Sequence, residues 1–326
     1  MLNSNMLNYY ELEPEHNHFH DVIIDVTHRC NMTCKNCYIP NRDILDLDKE
    51  RMLDAISRFP NRTSIRIIGA EPTMRNDLPE IIKAIRGMGH RQILLTNGLR
   101  LAQPEYTKKL KAHKCNHIYL SLNGVDRDDW YLAIDELACA KKKLQALDNI
   151  INNRILLQTG TIIVKGINED APTRLLHLLK RKKAKDVIVR IKNVGQLGRY
   201  MNDAKDNVKL NDLMKLCSEQ YGVSMDYLEY WRNKPIIDTL EAEPDSFMFP
   251  LDPGITGTPN FCIVCFADDL LRIVFEGNFH HQNKTLDFGG TSIRADRFQQ
   301  YKIKYGTADL IYEHKNEFTI GDFKNT

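Results

Sequence analysis

Three cysteines, Cys30, Cys34 and Cys37, fall within eight consecutive residues of a 326-residue chain. Thiolates that close together can face one metal centre, because a short loop can wrap around it. A structural zinc ion takes four ligands. The nearby candidates for a fourth are His28 and the histidines of HNHFH at 16–20, a stretch that reads more simply as a flexible arm. A four-iron cluster held by three cysteines would instead leave one iron open to an exchangeable ligand. Cys262 and Cys265 make a second pair, whereas Cys115, Cys139 and Cys217 stand alone and read as small core hydrophobes.

Composition narrows the classes. With 45 Lys and Arg against 43 Asp and Glu, the net charge of +2 argues against a nucleic-acid coat protein or an acidic tail. The stretch KRKKAK at 180–185 reads as a solvated helix end, where cations suit the helix dipole. The opening MLNSNMLNYYELEPE has no basic, apolar leader, and no apolar run of about eighteen residues occurs. The expectation is a cytoplasmic protein with reduced thiols and neither membrane nor nucleic acid among its partners.

The elements that must position the thiols alternate regularly. Apolar, β-rich runs occupy 21–27, 64–69, 92–97, 117–123, 155–164 and 187–192, as expected of parallel strands covered on both faces. Helical stripes lie between them: Met52, Leu53, Ile56, Phe59; then Leu78, Ile81, Ile82, Ile85. The longest stripe runs from Trp130 to Ile151 and predicts one helix of about six turns. Six strand–helix units are too few for a closed eight-fold barrel, so the expected fold is α/β, a partial (βα)6 barrel, with ligands at the C-terminal strand ends. Another helix at 208–221, a Pro/Gly-rich loop at 249–260 and a hairpin turning at Gly277-Asn278 complete the pattern. The reading divides the chain into an arm (1–20), the barrel (21–203) and a small α+β C-terminal extension (204–326) that closes the barrel mouth.

The spacing Cys-x-x-x-Cys-x-x-Cys directly after a first strand resembles the signature of the radical S-adenosylmethionine (radical SAM) enzymes. GAEPT at 69–73 looks like that family's Gly-Gly-Glu-Pro motif with Ala70 for the second glycine. LLTNG (94–98), YLSLNG (119–124) and TGTIIVKGINED (159–170) resemble its later strand ends in order. The resemblance covers roughly residues 21–200.

It implies that Cys30, Cys34 and Cys37 ligate a 4Fe-4S cluster whose fourth iron takes the amine and carboxylate of S-adenosylmethionine. Glu71, beside Gly69 and Ala70, would accept a hydrogen bond from that amine. Ser121 and Asn123 would reach the ribose or carboxylate, Arg190 the carboxylate, and the backbone near Tyr38 the adenine. Asn97 reads equally as a turn residue or a cofactor contact. The chemistry implied is reductive cleavage of the cofactor to a deoxyadenosyl radical that takes a hydrogen atom from a substrate, with an electron donor such as flavodoxin or ferredoxin.

Three features bear on the substrate. Many members carry an aromatic residue before the third cysteine, and here Asn36 stands there, as a polar residue does in some peptide-modifying members. The segment FCIVCFADDLLRIVFEGNFHH resembles the hairpin of a cluster-binding extension in such members, without the later cysteines. Cys262 or Cys265 would then donate a hydrogen atom to a substrate radical, or form a structural pair. The leading expectation is a peptide substrate, altered by epimerisation or cross-linking. The alternatives are a small molecule such as a nucleoside, sugar or cofactor precursor, and, from another class, a non-catalytic metal-binding module.

Overall fold

Segments that are apolar on both faces can satisfy their backbone groups only by pairing with one another while helices cover them. The computed structural model describes residues 9–12, 15, 21–35, 37, 45–184, 187–193, 208, 210–232, 246–249, 260–264, 271–273, 300–303 and 310–313. Six parallel strands form its centre: β2 (Asp21–Asp25), β3 (Ser64–Ile68), β4 (Arg91–Thr96), β5 (His117–Ser121), β6 (Leu156–Ile163) and β7 (Ile188–Asn193). They are neighbours in sequence order, and among the described residues the sheet does not close.

The connections are helical. These are α1 (Lys49–Ser57), α2 (Leu78–Gly87), α3 (Pro104–Ala112), α4 (Asp128–Asp135), α5 (Ala140–Asn152) and α6 (Ala171–Arg181), with α7 (Leu210–Tyr221) and α8 (Met225–Arg232) after β7. Asp48 caps α1 by accepting from Arg51 N, and Pro79 opens α2. The stripe Leu78, Ile81, Ile82 and Ile85 is fully buried, against a core that includes Val22, Ile24, Ile65, Ile67, Leu94 and Ile118. Cys115, Cys139 and Cys217 are buried, as their isolation suggested.

The predicted long helix is two. Glu136 ends α4 in the left-handed region (φ 56°), and α5 starts at Ala140. The apolar stripe continues across this break, which is why spacing alone did not reveal it.

The sheet also extends past these six strands, through β1 (Tyr9–Leu12), β8 (Ser246–Phe249), β9 (Asn260–Val264), β10 (Leu271–Ile273), β11 (Gln300–Ile303) and β12 (Leu310–Glu313), with β9 and β10 joining β7 and β2 in parallel. Among the described residues the order is β1-β11-β12-β10-β2-β3-β4-β5-β6-β7-β9-β8. Strands from the expected arm and extension therefore continue the same sheet. β10 pairs with β2 and β12; the rest of the predicted hairpin, including Gly277-Asn278, lies outside the described residues. No helix among the described residues is long and apolar enough to cross a membrane.

Candidate functional site at the C-terminal strand ends

The chain leaving β2 runs alongside the chain leaving β3. Val26 N donates to Ile68 O (3.0 Å), Ala70 N to Thr27 O (2.8 Å) and Glu71 N to Arg29 O (3.0 Å). Gly69 is required here: its φ is +132°, and a Cβ would lie 2.2 Å from Thr27 O. GAEPT is thus laid against the segment entering the cysteine loop. Further along, Lys35 N donates to Ile134 O at 3.1 Å, pinning the loop to α4, and Cys37 N to Cys34 O at 3.2 Å.

Glu71 is fully buried. One carboxylate oxygen accepts from Thr73 N (3.0 Å), Thr73 Oγ1 (2.6 Å) and Thr96 Oγ1 (2.7 Å), and the other from Asn97 N (2.7 Å). It therefore ties the end of β3 to the end of β4. Asn97 carries the tie onward: its Nδ2 donates to Asn31 Oδ1 at 2.8 Å and approaches Cys30 Sγ at 3.9 Å. Gly98 follows with φ +79°, where a Cβ would meet Leu120 Cδ1 at 2.2 Å.

Beneath the loop lies a buried polar group that the sequence reading missed. Lys143 on α5 is fully buried, and its ammonium donates to Asn97 O (2.6 Å) and Ser121 O (3.1 Å) near the Tyr131 ring. Asp135 on α4 accepts from Asn123 Nδ2 at 2.9 Å, and Asn123 Oδ1 accepts from Ile162 N at 3.1 Å. Burial raises the Asp135 carboxyl above its ordinary range, opposed by Lys143, by Asn123 and by a hydrogen bond with Cys34. Burial likewise pushes the Cys34 thiol up, with the charges of Asp135, Cys37 and Cys30 adding to the shift and Lys143 opposing it. The one available signal was Lys143 itself, a cation on the buried stripe between Ala140 and Leu147.

Ser121, Gly160, Arg190 and Cys262 form one transverse row, each the register partner of the next on β5, β6, β7 and β9. Arg190 is buried and lies 5.8 Å from the Tyr119 ring centroid. Gly160 makes room for that ring, since a Cβ there would fall 1.6 Å from Tyr119 Oη. The fold thus brings together the cysteine loop, Gly69 to Glu71, and Asn97 at one set of strand ends, with Ser121 and Asn123 beside them. Arg190 and Cys262 share the row with Ser121. Asn36, Tyr38 and Cys265 lie outside the described residues.

Comparison with known proteins places this arrangement. The radical SAM superfamily profile matches residues 24–179, which hold the end of β2, the cysteine loop, α1, β3 through β6 and most of α6. The chain carries a radical SAM domain. Over 162 residues it is 32% identical to the 7,8-dihydro-6-hydroxymethylpterin dimethyltransferase of Methanocaldococcus jannaschii, covering 45% of this chain and 31% of that protein. The GTP 3',8-cyclase of Staphylococcus carnosus is 23% identical over 273 residues, 80% of this chain and 77% of the relative. Among solved structures, Streptococcus suis SuiB bound to precursor peptide SuiA superposes with a TM-score of 0.51 and 17% identity, over 61% of this chain and 45% of SuiB. This last likeness is one of fold. The chain spans under a third of the dimethyltransferase's length.

The family's metal group can be tested against the side chains present. The loop of the radical SAM domain offers three partly exposed thiols outside any disulfide, the donor type that suits an iron–sulfur centre. Their charges are mutually felt at Cys34. Among the described residues no three His, Cys, Asp or Glu side chains are drawn together tightly enough to enclose a metal ion. The donor chemistry therefore fits the group, while closure of the three thiols would accompany binding and release of their protons.

Proposed function

We propose that this chain is a radical SAM enzyme in which Cys30, Cys34 and Cys37 hold a 4Fe-4S cluster that binds S-adenosylmethionine. When bound, that pair supplies reductive cleavage of the cofactor to a deoxyadenosyl radical, which abstracts a hydrogen atom from the substrate. The observation that carries the reading is the fastening of Cys30 to the ends of β3 and β4 through Asn97 and Glu71. The protein's own contribution is positional. Glu71 locks Thr96 and Asn97, Lys143 holds the carbonyls of Asn97 and Ser121, and Arg190 on the row beyond supplies a buried cation for a carboxylate. Anaerobic reconstitution with iron, sulfide, reductant and S-adenosylmethionine tests it. Deoxyadenosine is expected from the native chain and not from Cys30→Ala; equal yields would overturn the reading.

For the substrate, the peptide reading rests on Asn36, the Cys262/Cys265 pair and the fold shared with SuiB. A small-molecule reading draws separate support from relatives whose names specify a pterin and GTP. Cofactor cleavage in deuterated water, with candidate peptides and with nucleotides or pterins, separates the two. Deuterium gained at a peptide α-carbon and lost in Cys262→Ala or Cys265→Ala supports epimerisation. Stimulation by a heterocycle alone supports the small-molecule reading.

A further inference from the structure

Arg75 stands outside the cysteine loop, four residues beyond Glu71, and its side chain is only 4% exposed. Its Nη1 donates to two carbonyl oxygens, Val26 O at 2.9 Å and Leu47 O at 2.6 Å. Val26 is where the chain leaves for the cysteines, and Leu47 is where it returns. The two are themselves joined, Leu47 N donating to Val26 O at 3.2 Å. On the other side of the guanidinium, Nε and Nη2 hold Asp77 at 2.9 and 2.7 Å. A second layer lies above, where Thr27 and Arg29 both bond to Asp46, one residue before Leu47.

We infer that Arg75 is a clasp on the neck of the cysteine loop, a positioning residue that governs how readily the loop takes up and retains its metal. The metal half of this inference rests on the radical SAM reading; the clasp itself does not. Bringing the ends of a loop together costs entropy, and three thiols converge on one centre more readily when that cost is already met at the stem. A planar guanidinium suits this position because one edge grips a carboxylate while the next nitrogen reaches two carbonyls. Lysine, with one compact ammonium, cannot do both.

The experiment uses the full chain as native, Arg75→Lys, Arg75→Met and Asp77→Asn. Hydrogen exchange of the metal-free protein is followed at the Leu47 amide, with the Leu122 amide, bonded to Gly160 O inside the sheet, as reference. Loss of the clasp should speed exchange at Leu47 by about tenfold or more in Arg75→Met and less in Arg75→Lys, with Leu122 unchanged. After reconstitution, iron release to a chelator should quicken in the same order. Unchanged Leu47 exchange, or equal acceleration at Leu47 and Leu122, overturns the clasp. If Arg75→Met fails to fold, Asp77→Asn decides: it keeps the guanidinium but frees its aim, and must also speed Leu47. If the native chain takes up no iron–sulfur, the radical reading fails while the exchange result still judges the clasp.

Discussion

The Lys143 ammonium donates to the carbonyl oxygen of Asn97 at 2.6 Å from a fully buried side chain. A buried cation on two backbone acceptors beside Asp135 leaves several groups uncompensated if it is removed. Lys143→Met should lower unfolding stability by about 3–5 kcal/mol, read from the urea midpoint. Adding Asp135→Asn should recover part of that loss, because the two side chains are coupled. Strict additivity of the two changes would show that they are not.

Glu71→Gln replaces an acceptor-only group that receives four hydrogen bonds. Whichever way the amide turns, its NH2 meets a donor. If it faces Asn97 N, the tie between β3 and β4 breaks at a cost of about 1–3 kcal/mol. Thermal unfolding should register this. Affinity for S-adenosylmethionine should also fall, since Asn97 is the residue that approaches Cys30.

Gly160→Ala should displace the Tyr119 ring, costing about 1–3 kcal/mol by overpacking. Trimming the ring in Tyr119→Leu, Gly160→Ala should cost less than the sum of the single changes. The same displacement disturbs Arg190, which lies over that ring. A carboxylate-bearing ligand held by Arg190 would therefore bind Gly160→Ala more weakly.

Asp77 is held below its ordinary carboxylate value of 3.8, first by hydrogen bonds from Arg75, with partial burial opposing. Its folded-state pKa is depressed, so its contribution is complete above 3.8 and fades as pH falls through the lower folded value. The stability difference between the native chain and Asp77→Asn should be constant near neutral pH and vanish in acid below that value. A difference that persists there would mean that Asp77 acts without its charge.

Much of this was legible in the sequence because parallel strands buried on both faces announce themselves. The run at 64–69 became Ser64–Ile68, and 117–123 became His117–Ser121. GAEPT and LLTNG marked strand ends, and the fold set both beside the cysteine loop. Other features left no local trace. Arg75 is a cation in a turn until its carbonyl partners, 49 and 28 residues away, are known. Lys143 has the spacing of a core residue and the chemistry of a surface one. The division of α4 from α5 follows from one left-handed residue, Glu136, within an uninterrupted apolar stripe.

The outer strands have a consequence for how the chain acquires its shape. β10 lies against β2, with Leu271 opposite Val22, and β9 lies against β7. The first and last of the six central strands are thus both covered at their edges by segments made after them. A parallel sheet built in chain order would carry two open edges until residues beyond 260 emerge. A chain cut near residue 245 should retain the six central strands yet self-associate through those edges, and its light scattering should rise where the full chain's stays flat.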